Sequence, residues 1–62
     1  MVTVNYYIED IEYGTVLLND GTWEQFTPDV DARTFTSFDD AVTHIDAINV
    51  GSYRIFSRVI NT

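Results

Sequence analysis

The 62-residue chain carries ten acidic residues against three arginines and one histidine, and its formal net charge is −7. A chain of this length makes one domain, residues 1–62, and buries only about 60% of the surface that its unfolded form exposes. The absence of cysteine excludes disulfides and thiolate metal sites, a single histidine argues against structural zinc, and the negative charge disfavours nucleic-acid phosphates and anionic lipids as ligands.

Nothing in the chain predicts targeting or membrane insertion. No apolar run approaches the roughly 20 residues that a membrane-spanning helix needs. The first residues, Met-Val-Thr-Val-Asn-Tyr-Tyr, have neither a positive segment nor a long apolar core, so we expect no signal peptide. We therefore expect the protein to be cytosolic.

The first strand is predicted over Val2–Glu9, where side chains alternate between two faces and β-branched and aromatic residues dominate. An acidic connector, 10–14, ends in glycine and predicts a turn or bulge before a second strand, Thr15–Asn19. Asp20-Gly21 between β-forming residues is a strong hairpin signal and leads to a third strand, Thr22–Phe26.

The third strand is expected to end near Phe26, because Pro28 cannot donate to a strand ladder. A loop, Thr27–Thr36, follows it. Residues 37–50 then have the clear helical period of the chain, with Ser37 as the N-cap and Gly51 as the C-terminal stop. Its apolar positions share one face: Phe38, Ala41, Val42, Ile45 and Ile48.

The last strand is predicted over Tyr53–Asn61, with bulky apolar groups on both of its faces. The predicted fold is therefore α+β: an antiparallel sheet of three to four strands in the order β-β-β-α-β, with one amphipathic helix packed on one face. A helix of this length covers one face of such a sheet and leaves the other uncovered.

The uncovered sheet face is the first candidate site. We expect six residues to meet the helix: Val2, Val4, Tyr6, Ile8, Ile55 and Val59. The opposite face then presents aromatic and arginine side chains, which are typical of interface cores: Tyr7, Trp23, Phe56, Arg58 and Ile60. Three interpretations are open: the loop from Thr27 to Phe35 covers this face, a second copy binds there, or a different protein does.

The acidic side chains are the second candidate site. They cluster before Gly14 and along the helix: Glu9, Asp10, Glu12, Asp39, Asp40 and Asp46. Carboxylates spread over a compact surface can imitate a phosphate backbone and so occupy a DNA-binding protein. An ordinary solvated acidic surface is the alternative explanation.

The sequence patterns that would predict metal binding, catalysis or RNA binding are weak. Asp29-Val30-Asp31 and Asn19-Asp20-Gly21 offer oxygen ligands without the spacing of a calcium loop. Asp40 lies four residues before His44, but no nucleophile is spaced to complete a catalytic set. Arg54, Phe56 and Arg58 resemble an RNA-binding strand face only loosely, and the net charge opposes that role. We therefore expect no catalytic residues, no metal and no cofactor.

Four segments resemble small uncharacterised bacteriophage proteins. They are Tyr6-Tyr7-Ile8, Leu18-Asn19-Asp20-Gly21-Thr22-Trp23, the stretch from Ala32 to Ala41, and Tyr53-Arg54-Ile55. The shared motifs are structural: a hairpin turn, a hydrophobic anchor, a helix cap and a core strand. The resemblance implies a phage setting, in which many small acidic proteins bind and inhibit or redirect a host protein.

The expected function is therefore a non-enzymatic accessory protein, phage-encoded, that binds a host protein in the host cytoplasm. A basic or DNA-binding partner fits the charge, and DNA mimicry is the sharper version of this hypothesis. The alternative is a structural or self-assembling viral protein whose exposed sheet face forms a homodimer. Neither hypothesis involves direct nucleic-acid binding or a membrane.

Overall fold

The computed structural model describes residues 2–27, 29–48 and 51–61. Within these residues the elements in chain order are β1 (Val2–Asp10), β2 (Thr15–Leu17), β3 (Trp23–Gln25), α1 (Phe38–Ile48) and β4 (Tyr53–Asn61). The strands form one antiparallel sheet in the order β3-β2-β1-β4, so β3 and β4 are its edges. This arrangement confirms the predicted α+β fold and its element order.

Two tight turns join the first three strands. In the first, the Asp10 carboxylate accepts a hydrogen bond from the Glu12 amide at 3.0 Å, and the Gly14 amide donates to the Asp10 carbonyl at 2.8 Å. In the second, the Asp20 carboxylate accepts bonds from the amide and the hydroxyl of Thr22 at 3.0 and 2.6 Å. Gly21 has a φ of 88°, which glycine adopts without strain, so the predicted Asp-Gly hairpin is confirmed.

β2 and β3 are shorter than predicted, and the chain after β3 enters the sheet. β1 and β2 pair only at Glu9–Val16 and Asp10–Thr15 and then diverge. Residues 31–35 lie between them: the Arg33 amide donates to the Leu17 carbonyl at 2.9 Å, and Phe35 exchanges two backbone bonds of 2.9 Å with Tyr6. The segment that was predicted to be a loop therefore bonds to both strands.

The helix is amphipathic and begins where the sequence predicts. Ser37 Oγ accepts a hydrogen bond from the Asp40 amide at 3.1 Å, which is the geometry of an N-cap. α1 is described up to Ile48, and the last two predicted helical positions, 49 and 50, lie outside the described residues. Gly51 has a φ of 101°, as a stop residue after a helix commonly does.

The core lies between α1 and the half of the sheet nearest the β1–β2 turn. Ile8, Leu17, Phe35 and Ala41 are buried there, and five half-buried side chains pack against them: Tyr6, Trp23, Ile45, Tyr53 and Ile55. We call this sheet face the helix-side face and the opposite one the outer face. Because successive side chains alternate, Tyr7, Val16 and Phe56 belong to the outer face.

Candidate protein-binding surfaces

The outer face is more closed than the sequence predicts. Tyr7 stacks on Phe56 with ring centroids 5.1 Å apart, and Phe26 meets both rings edge-on at 5.5 and 5.6 Å. Tyr7 is only 6% exposed, and Val16 and Leu18 are buried. Phe26 follows β3 directly, so it is this residue, one position before the expected loop, that covers part of the face.

Of the five residues predicted for the outer face, four lie on it and one does not. Tyr7 is buried, Phe56 and Ile60 are half-buried, and Arg58 is exposed with its guanidinium 5.3 Å from the Phe26 ring. Trp23 is the exception and corrects the prediction. The register pairs it with Leu17 of the core, so its ring lies on the helix-side face and stacks on Tyr53 at 5.4 Å.

The helix-side face contains an apolar surface that the sequence analysis missed. Val2, Val4 and Val59 were expected beneath the helix, but they are 62%, 38% and 66% exposed. We call these three residues the valine strip. The reason is length: an 11-residue helix spans about 16 Å, whereas nine-residue strands span about 30 Å. Comparing those lengths would have revealed the strip from the sequence.

The predicted acidic residues of β1 have structural partners. Glu9 forms an ion pair with Arg54, which lies opposite it in the register of β1 and β4. Asp10 accepts the turn hydrogen bond described above. Glu12, in the turn itself, is exposed and contributes its charge to the solvent-facing end of the sheet. Only part of this predicted cluster is therefore open surface.

The acidic residues of the helix are all exposed. Asp39 and Asp46 are seven positions apart, which places them on one stripe of the helix about 10 Å apart along its axis. Thr43 lies between them and donates to the Asp39 carbonyl at 3.0 Å. Ile11 donates its amide to the Ser52 carbonyl, so the chain after α1 returns to the end of the sheet that carries Glu12.

The few cations leave most of this charge uncompensated. Arg54 pairs with Glu9, while the guanidinium groups of Arg33 and Arg58 lie over the rings of Phe35 and Phe26, each at 5.3 Å. Across residues 2–27, 29–48 and 51–61, which include every Asp and Glu, nine of the ten carboxylates are outside any ion pair. The surface field is therefore strongly negative.

Asp20 and Asp31 are two further acidic residues that the predicted set omits. Asn19 joins them: its amide group donates to the Asp31 carboxylate at 2.8 Å, and Asp20 follows it in the turn. Hydrogen bonds from the Thr22 hydroxyl and amide lower the pKa of Asp20. The two short polar segments singled out in the sequence thus do meet, although in the described parts of the chain no three His, Cys, Asp or Glu side chains could hold a metal ion together.

A shallow groove of about 420 Å³ lies between residues 33–36 and α1. His44 and Asp40 both line it, and the His44 ring is 5.5 Å from Phe35. The Asp40 carboxylate is 3.5 Å from the Thr36 hydroxyl at the helix start. The groove is open to solvent, and its lining combines three threonines with Arg33, Phe35, Asp40, His44 and Ala47.

No protein-family model, no curated protein and no solved structure was found to match the chain. In the described ranges, the structure has no helix with the length and apolar character required to cross a membrane.

Proposed function

We propose that this is a small acidic accessory protein that acts by binding another protein through its negatively charged surface. The observation that supports this proposal is the unbalanced charge: within the residues that the structure describes, nine carboxylates are outside ion pairs, and two of the three arginines lie over aromatic rings. Such a field raises the rate of encounter with a basic surface and disfavours acidic ones.

The helix stripe is the contact surface that fits best. Asp39 and Asp46 project from a regular element that is anchored beneath by Ala41 and Ile45, so their spacing is fixed. Carboxylates on a fixed scaffold lose little conformational freedom when a partner binds them. The half-buried Phe56 and Ile60 of the outer face supply a second, apolar contact region.

In the sharper form of this proposal the partner is a DNA-binding protein whose phosphate-binding groove the acidic surface occupies. Occlusion of that groove would inhibit or redirect the partner without any chemistry in this chain, so we propose no enzymatic role. The resemblance of its turn, anchor, cap and strand segments to small phage proteins motivates the further proposal of a phage origin and of action in the host cytoplasm. The alternative is a structural or self-assembling viral protein whose exposed sheet face forms a homodimer, and the half-buried Phe56 and Ile60 on the outer face favour it.

The test is retention of cell-lysate proteins on the immobilised chain across a salt titration, compared between two charge-matched variants. Asp39→Asn with Asp46→Asn neutralises the helix stripe. Glu24→Gln with Asp29→Asn removes the same charge from exposed positions elsewhere. We expect basic proteins to bind at low salt, to dissociate as salt screens the charges, and to be lost with the first variant far more than with the second.

Equal loss with both variants would mean that the net charge, and not the helix stripe, directs binding. If the unmodified chain retains no basic or DNA-binding protein even at low salt, the proposal is wrong.

A further inference from the structure

β4 is a long edge strand of the sheet. It is nine residues long, and its pairing with β1 runs through nine consecutive positions without a bulge. In the described chain no segment pairs with its other side. The opposite edge, β3, is only three residues long. Long, regular edges pair readily with another strand, and proteins usually block them with proline, lysine, a bulge or a covering segment.

We propose that two copies of this chain associate by antiparallel pairing of their β4 strands about a twofold axis at Ser57. The result is one sheet that continues across both molecules, with both helices on the same side. The inference does not rest on partner binding by the helix stripe, because the stripe lies on α1 and the pairing edge is the backbone of β4. Phe56 and Ile60, the second contact region proposed above, do lie on β4.

The side chains of β4 select this register. With Ser57 opposite its own symmetry mate, Arg58 faces Phe56 of the other copy and Arg54 faces Ile60. Moving the axis by one residue places like charges opposite each other: Arg54 meets Arg58 when the axis is at Phe56, and Arg58 meets itself when the axis is at Arg58. Directly opposed like charges destabilise a strand pair, whereas arginine next to an aromatic ring is favourable. The axis at Ser57 is also the one that pairs all nine residues.

The pairing also covers apolar surface that the isolated chain leaves in water. On the helix-side face Val59, which is 66% exposed, would face Ile55 of the other copy. The described residues include only seven buried apolar side chains, so even a modest addition to the buried area is a large fraction of the core.

Charge explains why the contact would occur at this edge. The molecule is strongly acidic, yet β4 carries no acidic residue and two of the three arginines. A second copy that pairs with β4 therefore meets no carboxylate on the strand itself.

A single cysteine tests the register, because the natural chain has none. Ser57→Cys is exposed and would face its own symmetry mate, so we expect rapid formation of a disulfide-linked dimer under mild oxidation. Val59→Cys is the control: it is exposed on the same face of the same strand, but it would face Ile55 of the other copy. If Val59→Cys crosslinks as fast as Ser57→Cys, the register is wrong.

Sedimentation of variants that retain serine at position 57 tests the association itself. We expect the unmodified chain to be dimeric at micromolar concentration, Val59→Glu to be monomeric, and Val2→Glu to remain dimeric. The two variants have the same charge change and similar exposure, but Val2 lies on β1, away from the edge. A natural chain that is monomeric at every concentration overturns the proposal. Uptake of a peptide strand by that monomer would then assign the edge to a different protein. Partner binding by the helix stripe is measured in a separate experiment, and neither a dimeric nor a monomeric natural chain would contradict it.

Discussion

The two halves of the long β1–β4 pair have very different surroundings. At one end, Ile8 and Ile55 lie beneath α1, and Ile8, whose strand β1 neighbours β2, is fully buried. At the other end, Val4 and Val59 belong to a ribbon in which β1 pairs with β4 and the helix does not reach. We call these the core end and the ribbon end. Two-stranded ribbons are marginally stable by themselves, so the core end must hold the ribbon end in place.

Strand length and strand stability are therefore separate properties in this sheet. The same alternating sequence continues through nine residues of each strand, yet burial is confined to about half of them. The ribbon end also has β-branched residues, but no core packs against them. That combination is typical of a surface which another molecule covers.

The largest expected effect comes from truncating the core end. Ile8→Ala removes buried methyl and methylene groups from a site with no solvent exposure, and we expect a loss of about 2–5 kcal/mol in the free energy of unfolding. For so small a domain that loss approaches the whole stability, and urea denaturation followed by circular dichroism measures it.

Val4→Ala is the matched control, since it lies on the same strand and face in the ribbon end and is already 38% exposed. We expect the control to retain nearly the full unfolding free energy. Similar losses in the two variants would mean that the two ends share one cooperative core. The inferred difference between the core end and the ribbon end would then be wrong.

An intermediate effect is expected on the outer face. Phe56→Ala removes a stack on Tyr7 and an edge contact with Phe26, and we expect a loss of roughly 2 kcal/mol because the ring is only half-buried. Ile60→Ala, on the same strand face in the ribbon end, should cost clearly less. Unfolding is measured at high dilution, so that association does not contribute. A greater loss from Ile60→Ala would show that the ribbon end has an unrecognised packing partner.

The sequence predicts local features well because their signals are local. The strand period defines β1 to within one residue and β4 at both ends, and Ser37 with the following apolar spacing defines the start of α1. The exposure of the helix acids follows from the same period. These predictions need only neighbouring residues along the chain.

Three features depend on contacts between distant residues and could not be predicted in this way. The insertion of residues 31–35 depends on backbone bonds to Tyr6 and Leu17. The side of the sheet that Trp23 occupies depends on the β2–β3 register, since a shift of one residue reverses it. The half-closed outer face depends on where Phe26 lies after β3.

The smallest expected effect is a pH dependence at the β2–β3 turn, which joins the third strand to the core end. Hydrogen bonds from Thr22 to the Asp20 carboxylate lower its pKa below the ordinary value of 3.8. Because the folded-state pKa is the lower one, this contribution to stability is present above pH 3.8 and is lost as the pH falls through the folded-state pKa.

Thr22→Val removes the hydroxyl that is the main cause of the shift. We expect the stability difference between the natural chain and Thr22→Val to be constant near neutral pH and to shrink in acid, as measured by urea denaturation at a series of pH values. A difference that stays unchanged into strong acid would mean that the hydroxyl stabilises the turn without the carboxylate, and the short hairpin would then owe its geometry to Gly21 and the strand register alone.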